Sequence, residues 1–315
     1  MYAVSIRLMC YNQEKLIARA MDGIMMQKTN FKVEVVVGDD FSVDNTLNII
    51  KRYKNTDHIR INILNRTLGD EYWEMRQKHG RLFNYYNILS NCSGKYIAML
   101  DGDDYWIDSN KLQKQVDFFE QNPNYTISSH EAHTVKFSVE NNLKSGLGII
   151  RDNFKFGKIL HASKTTLNII INRSKFWESR VSHNTDKRFY NYQFQDILFN
   201  KHFMAQSSMM IRKDVLNKMG LWFTGTDGGH YFIVLIALSL GKGYHFKDFM
   251  GVHYLHEGSL SQNKARKREN REKAIELRVF RLNKLLDIAP QYSDLIIRQI
   301  KLEQSKKIIN VNSSS

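Results

Sequence analysis

The chain predicts an α/β fold with a mostly parallel central sheet flanked by helices and a helical appendage at its C-terminal end. Three observations carry this. Apolar, often β-branched runs alternate with helical patterns through the first 120 or so residues, which argues for parallel strands joined by right-handed crossovers. Two of these runs stop abruptly in carboxylates, Gly38-Asp39-Asp40 and Asp101-Gly102-Asp103-Asp104, and open α/β sheets bind ligands at the carboxyl ends of their strands. From Lys264 onward the composition turns basic and the apolar positions become amphipathic.

In order, Ala3 to Met9 reads as a strand, with Arg7 interrupting its apolar character. Cys10-Tyr11-Asn12 turns the chain, and Asn12 is the expected N-cap of a helix carrying Leu16, Ile17, Ala20, Met21 and Ile24. Val33 to Val37 is a second strand. Asp44 is expected to open a helix with Leu47, Ile49, Ile50 and Tyr53, and Ile59 to Leu64 a third strand. Residues 66–79 are polar and mixed, and read as a loop. Gly80 to Asn91 follows a helical pattern, with Gly94 suited to the position just past it. Tyr96 to Leu100 has the continuous apolar character of a strand buried on both faces. A helix over Asn110 to Asn122 stops at Pro123.

Beyond this point the pattern weakens. Strands are expected within Thr126 to Val139, and a strand or short helix at Thr165 to Asn172. Ser207 to Ile211 reads as a strand leading into a helix at Lys213. Gly225 to Gly229 reads as a flexible loop before an apolar helix, Tyr231 to Leu240, and Tyr244 to Phe246 and Gly251 to Leu255 as short strands. Two basic helices follow, broken at Ala289-Pro290, with Ile275, Val279, Leu282, Leu286, Leu295, Ile296, Ile300 and Leu302 as their apolar positions.

The net charge of +14 points to anionic partners. No helix-turn-helix, zinc-finger or RNP-like signature supports nucleic acid. Two cysteines without a CxxC spacing fit a reducing compartment. The first residues lack the charged region and long apolar run of a secretory signal. The longest apolar stretch, Phe232 to Leu240, is too short to span a bilayer. A cytoplasmic protein is expected. The basic C-terminal helices either pack on the core or dock on an anionic membrane surface.

Clustered carboxylates at a strand end suit a hard divalent cation, which takes oxygen ligands and often carries substrate phosphates. The alternative is a solvated acidic turn.

Residues 4–120 resemble the donor-binding half of family 2 glycosyltransferases, which have the Rossmann-like GT-A fold. Three segments, in order and at matching spacing, carry the resemblance: Val4 to Gln27 with its Cys-Tyr-Asn-Gln-Glu turn, Val33 to Thr46, and Gly94 to Trp106. More faintly, Ser207 to Lys213 is similar to the family's acceptor-side strand. Val252 to Ser259 is similar to its late Val-Tyr-Arg-x-His segment. The subgroup of nearest appearance builds bacterial surface polysaccharides.

The resemblance implies a GT-A domain over 1–263, with a donor half (1–122) and an acceptor half (123–263), followed by a basic helical region, 264–315. It implies a metal-dependent, inverting transfer of a sugar from a nucleotide sugar of the UDP type to a saccharide or lipid-linked acceptor. Asp101 and Asp103 match the metal-binding pair, with Asp101 also able to act through water or ribose, and Asp104 able to share the role. His256 matches a late histidine that completes the metal shell. Mg²⁺ and Mn²⁺ both fit, and Mn²⁺ is favoured if the imidazole binds. Cys10, Tyr11 and Asn12 would line the nucleotide, with Glu14 and Gly102 beside them. Asp39 would accept from the base N3–H, with Asp40 as its rival. Lys78, Gly80 and Asn84 fall where the family places further donor-site residues. Inversion needs a base. The family's acidic residue before the apolar helix is replaced here by Gly225-Thr226-Asp227-Gly228-Gly229-His230, which leaves Asp227 and His230 as candidates. That departure keeps a catalytically inactive nucleotide-sugar-binding protein as an alternative. A sugar-1-phosphate nucleotidyltransferase is a further one, although the Gly-rich phosphate loop of such enzymes is absent after Met9.

Overall fold

The computed structural model describes residues 1–136, 189–200, 204–225, 228–256 and 271–312. The expectation at Thr165 to Asn172 and candidate base Asp227 lie outside them. Strands β1 (Val4–Cys10), β2 (Val33–Asp39), β3 (Ile59–Ile63) and β4 (Tyr96–Asp101) form a parallel block in the order β3-β2-β1-β4. Beyond β4 the sheet is mixed. The short β8 (Met210–Arg212) runs antiparallel between β4 and β6 (Tyr125–Lys136), and β6 pairs in parallel with β9 (Lys242–Leu255). β5 (Tyr105–Trp106) and β7 (Phe189–Tyr192) both pair antiparallel with β9. The mostly parallel expectation therefore describes the first four strands. Among the later ones, β5, β7 and β8 pair antiparallel with their neighbours, while β6 and β9 pair in parallel.

Strand alternation divides two cores. Val4, Ile6, Leu8, Val33, Val35, Val37, Ala98 and Leu100 point to one face, covered by α1 (Ile17–Met25) and α5 (Lys111–Gln121). Val36, Ile97 and Met99 point to the other. That face is covered by α4 (Leu82–Ser90), α7 (Gly229–Leu240) and the C-terminal helices α8 (Arg271–Ile288) and α9 (Ser293–Asn312). Leu282, Leu285, Ala289 and Ile296 are fully buried there, so the C-terminal helices pack on the core. Leu302, expected on the same face, is exposed.

Several local expectations need correction. The polar 66–79 stretch contains a helix, α3 (Glu71–His79), with no buried residue. Its signal is capping: the Asp70 carboxylate accepts from Trp73 N at 2.7 Å, and Gly80 ends it at φ +72°. Asn12 is not a helix cap; it turns the chain at φ +50° and accepts from Val43 N. Asp44 accepts from Thr46 N, and the helix there, α2 (Thr46–Ile50), stops before Tyr53. Gly94 serves a close approach: an added Cβ would lie 2.7 Å from the Val4 carbonyl carbon. Ser207 sits in a 3₁₀ turn (Gln206–Ser208) before β8, and Lys213 opens a second 3₁₀ segment. The two short strands expected after Tyr244 are one continuous β9. A short α6 (Phe194–Asn200) packs against α7.

Lys111 is fully buried at the start of α5, its Nζ 3.8 Å above the Trp106 ring, with no hydrogen-bond partner among the described residues. Burial drives its pKa well below the ordinary lysine value. Lys111→Met is expected to stabilise the fold by roughly 1–4 kcal/mol, as when buried charges give way to apolar side chains. Between the folded-state pKa and about 10.4 the unfolded chain holds the extra proton, so this group makes stability rise with pH. Denaturant titrations at pH 7 and pH 9 should show that rise shrinking in Lys111→Met. An unchanged or lower midpoint at pH 7 would count against a buried, unpartnered amine.

Candidate active site at the carboxyl edge of the sheet

The parallel register sets three chain turns side by side. Cys10 pairs with Asp39, and Met9 with Asp101, so β1, β2 and β4 end at one level. At the first turn Tyr11 is exposed, Asn12 N donates to Ser42 Oγ at 2.9 Å, and Glu14 Oε2 accepts from Asn45 N at 3.1 Å. This ties the β1 turn to the β2 turn. Cys10 is buried against Asp39, its Sγ 3.5 Å from Oδ1, and burial, then the Asp39 charge, pushes the thiol well up.

Both carboxylates after β2 are engaged within the chain. Asp39 accepts from Ser42 N at 2.9 Å and Ser42 Oγ at 2.5 Å. Asp40 forms a two-pronged pair with Arg76 of α3 (3.0 Å to Nε, 2.8 Å to Nη2) and accepts from Tyr72 at 3.0 Å. Arg66 lies 3.8 Å above the Tyr72 ring and donates to the Asp39 carbonyl. Asn84, buried on α4, donates to the Gly38 carbonyl at 3.2 Å, and Lys78 is exposed in the last turn of α3.

The centre of the site is the acidic cluster after β4. One oxygen each from Asp101, Asp103 and Asp104 lies within 4.8 Å of the others. Gly102 has no room for a side chain: a Cβ there would stand 2.8 Å from Ile17 Cδ1. The three acids differ in their surroundings. Asp101 Oδ1 accepts from Arg7 Nη2 at 2.6 Å. Burial pushes its carboxyl up against the pull of Arg7, with Asp103 and Asp104 adding to the rise. Asp104 is buried and accepts from Ser207 Oγ at 2.5 Å and Tyr254 N at 2.9 Å, with His253 Nδ1 3.0 Å away. Burial opposes protonation of His253, but the hydrogen bond and charge of Asp104 outweigh it, raising the imidazole above its ordinary value. Asp103 is about one-fifth exposed, with His256 Nε2 3.2 Å from its Oδ2. Three carboxylates plus an adjacent imidazole fit a divalent ion that accepts both oxygen and nitrogen, and Asp103 with His256 is the most open pair.

Helix α7 begins at Gly229, with Gly228 before it and His230 as its second residue. Burial, then Arg81, Arg7 and His253, lowers the His230 imidazole to about 4. Gly225 is tied to the α3–α4 junction: its N donates to the His79 carbonyl at 2.8 Å, and its carbonyl accepts from Leu82 N at 3.0 Å. Gly80 is pressed against the same carbonyl, which a Cβ would meet at 3.0 Å.

Sequence reasoning missed Arg7, Ser207 and His253. Arg7 is fully buried, its guanidinium 4.5 Å from the Tyr85 ring. A charged residue at an inward strand position was the available signal, since such a group needs a buried partner. Ser207 and His253 gave no signal of their own.

The geometry thus defines an α/β protein with a histidine-flanked acidic cluster at the carboxyl edge of its sheet. Residues 5–220 match the Glycosyl transferase family 2 model, and the chain belongs to that family. It is 38% identical over 133 residues to an uncharacterised protein of Mycobacterium tuberculosis, covering 42% of this chain and 36% of that protein. It is 31% identical over 120 residues (38% of this chain, 42% of the relative) to the Escherichia coli UDP-Glc:alpha-D-GlcNAc-diphosphoundecaprenol beta-1,3-glucosyltransferase WfaP. The chain thus spans less than half the length of either relative. Among solved structures, Staphylococcus aureus TarS in complex with UDP-GlcNAc superposes with TM-score 0.59 at 15% identity, covering 95% of this chain and 72% of that one. The mannosyltransferase PcManGT of Pyrobaculum calidifontis, in complex with GDP-Man and Mn²⁺, gives 0.54 at 15%, covering 96% and 70%. These likenesses establish the fold, a GT-A-type α/β architecture with a helical C-terminal region.

Proposed function

We propose that the protein is an inverting glycosyltransferase that moves a sugar from a UDP-sugar to a saccharide or lipid-linked saccharide acceptor in surface-glycan assembly. The observation that carries this is the Asp101–Asp103–Asp104 cluster with His256, set level with the Cys10 and Asp39 strand ends. WfaP, named for UDP-Glc and a diphosphoundecaprenol-linked acceptor, supports the donor and acceptor classes.

Asp103 and His256, with Asp101 and Asp104 beside them, would hold Mn²⁺ or Mg²⁺, which supplies charge neutralisation to a leaving diphosphate. Arg7 holds Asp101 in place from below, and Ser207 and His253 fix Asp104. The Cys10–Asn12 turn, Glu14 and Gly102 would line the nucleotide. Asp39 would read the base edge, with Asp40, paired with Arg76, as its rival. Gly80 and Asn84 shape the donor side through Gly225 and Gly38, and Lys78 would reach the donor from solvent. Asp227 would take the proton of the acceptor hydroxyl as that oxygen bonds to the anomeric carbon and the carbon–diphosphate bond breaks. The donor half would occupy 1–122, the acceptor half 123–263 and the helical region 264–315. No helix among the described residues is long and apolar enough to cross a membrane. Work at the cytoplasmic face on a lipid-linked acceptor would suit the basic C-terminal helices.

The test is a donor-hydrolysis screen across nucleotide sugars with Mn²⁺. One or more UDP-sugars should turn over at least tenfold faster than GDP-sugars, and chelation should stop the reaction. Equal turnover of UDP- and GDP-sugars, or turnover untouched by chelator, would overturn the reading.

A further inference from the structure

We infer that Glu131 and His245 are a positioning pair: they clamp a bulge in β9 that sets His253 and His256 against the acidic cluster. This rests on the reading of that cluster as a metal site, and it names two residues outside the cluster on which the site depends.

β6 and β9 pair in parallel, but not in step. His130 stands opposite Phe246, Glu131 opposite Phe249 and Ala132 opposite Gly251. Two steps along β6 thus cover five along β9, which carries three extra residues at Glu131. Continued from Phe246 without them, Met250 would stand opposite Thr134; with them, His253 does. At a strand rise of about 3.3 Å per residue, the histidines are drawn back by roughly 10 Å. An odd number of extra residues also turns them to the opposite face of the sheet. The bulge thereby brings His253 to 3.0 Å from Asp104 and His256 to 3.2 Å from Asp103. Re-aiming a side chain is a recurrent use of bulges beside active sites.

The clamp lies where the bulge begins. β6 holds the His245 ring at both nitrogens: Ser129 Oγ is 2.8 Å from Nδ1, and Glu131 Oε1 is 3.3 Å from Nε2. Ser129 is the ladder partner of His245, whereas the partner of Glu131 is Phe249. The Glu131 carboxylate therefore reaches back across the extra residues to the last regular stretch of β9. The Glu131 backbone is fixed as well, its carbonyl 2.8 Å from His130 Nδ1. Ser129 and His245 are buried, and a buried polar network specifies one arrangement where apolar contacts tolerate several. Beyond the bulge β9 is caught again by the segment that follows the cluster. The Met250 carbonyl accepts from Ile107 N at 2.9 Å, and Gly251 pairs with Trp106. Neither Glu131 nor His245 belongs to the acidic cluster; both act through the strand they hold.

The test uses the full chain and compares Glu131→Ala, Glu131→Asp, Glu131→Gln, His256→Ala and the double variant Glu131→Ala/His256→Ala. Readouts are Mn²⁺ affinity by calorimetry with UDP bound, UDP affinity without metal, hydrogen exchange over residues 246–256 and thermal midpoint. Folded Glu131→Ala should exchange faster over 246–256 while β1 and β2 are unchanged. It should bind Mn²⁺ roughly tenfold more weakly, with metal-free UDP affinity kept within about twofold. In the His256→Ala background the same change should weaken Mn²⁺ binding less than about threefold, because the imidazole it positions is already lost. Glu131→Gln keeps the length and a polar atom toward Nε2, and should stay within about twofold of the parent. Glu131→Asp is one methylene short of His245 and should bind Mn²⁺ roughly fivefold more weakly; it also serves if Glu131→Ala does not fold. Unchanged exchange or unchanged Mn²⁺ affinity in folded Glu131→Ala, or in Glu131→Asp where only that variant folds, would overturn the inference. So would losses of equal size in both backgrounds, or a loss expressed in metal-free UDP affinity. Parental Mn²⁺ affinity in His256→Ala alone would instead mark failure of the metal reading, and the exchange of 246–256 in Glu131→Ala still reads the clamp in that case.

Discussion

Asp103→Ala is expected to lower donor turnover by roughly a thousandfold, about 4 kcal/mol of transition-state stabilisation. Asp103 is the cleanest probe of the cluster for a structural reason. Asp104 is buried under bonds from Ser207 and Tyr254, and Asp101 neutralises the buried Arg7, so removing either leaves buried groups without their partners. Asp103 is partly exposed and faces His256. Its loss should therefore leave the thermal midpoint nearly unchanged while abolishing metal-dependent turnover and weakening Mn²⁺-supported UDP binding. Turnover and UDP binding that survive intact in Asp103→Ala would remove the metal role from this cluster.

The second large effect separates the two candidate bases. Asp227→Asn should lower kcat by roughly 10²- to 10⁴-fold with UDP affinity kept, as expected for loss of a general base. His230→Ala should stay within about tenfold of the parent. With its pKa lowered to about 4, His230 is neutral at pH 7 but binds a proton too weakly to accept one efficiently from a hydroxyl. The same depression has a signature in stability. Between about pH 6.5 and 4 the unfolded chain takes up the proton that folded His230 refuses, so stability falls as pH falls through that window. His230→Ala should lose that part of the slope in acid denaturation. Full activity in both variants would sink both assignments.

The parallel block and the acidic cluster were legible because their signals are local. A β-branched run marks β2, a continuous apolar run marks β4, and carboxylates mark where they end. The helix α3 was missed because it buries nothing, and its only signals are Asp70 in front and Gly80 behind. The strand β9 read as two because Lys247 and Asp248 interrupt its apolar pattern; its pairing with β6 absorbs register shifts around Glu131. At the site, Asp103 and His256 could be paired in advance from the resemblance, and the structure sets them side by side. The partners of Asp101 and Asp104 could not be read, because Arg7, Ser207 and His253 come from separate elements brought together only by the sheet. Arg281, buried on α8, was hidden for the same reason: its helix looked like one more basic amphipathic segment. The Thr224 carbonyl that it meets lies 57 residues away in the chain.

Strand β9 also sets an order of assembly. It pairs with β5, β6 and β7, and it brings His253 and His256 to the acidic cluster. A nascent chain that has left the ribosome only as far as Gly241 holds β5 and β7 without their β9 ladder and one edge of β6 open. Pairings across more than 100 residues form late and leave such edges exposed meanwhile. During synthesis the three acids emerge more than 140 residues before the two histidines that face them, so the complete cluster requires β9 to be in place.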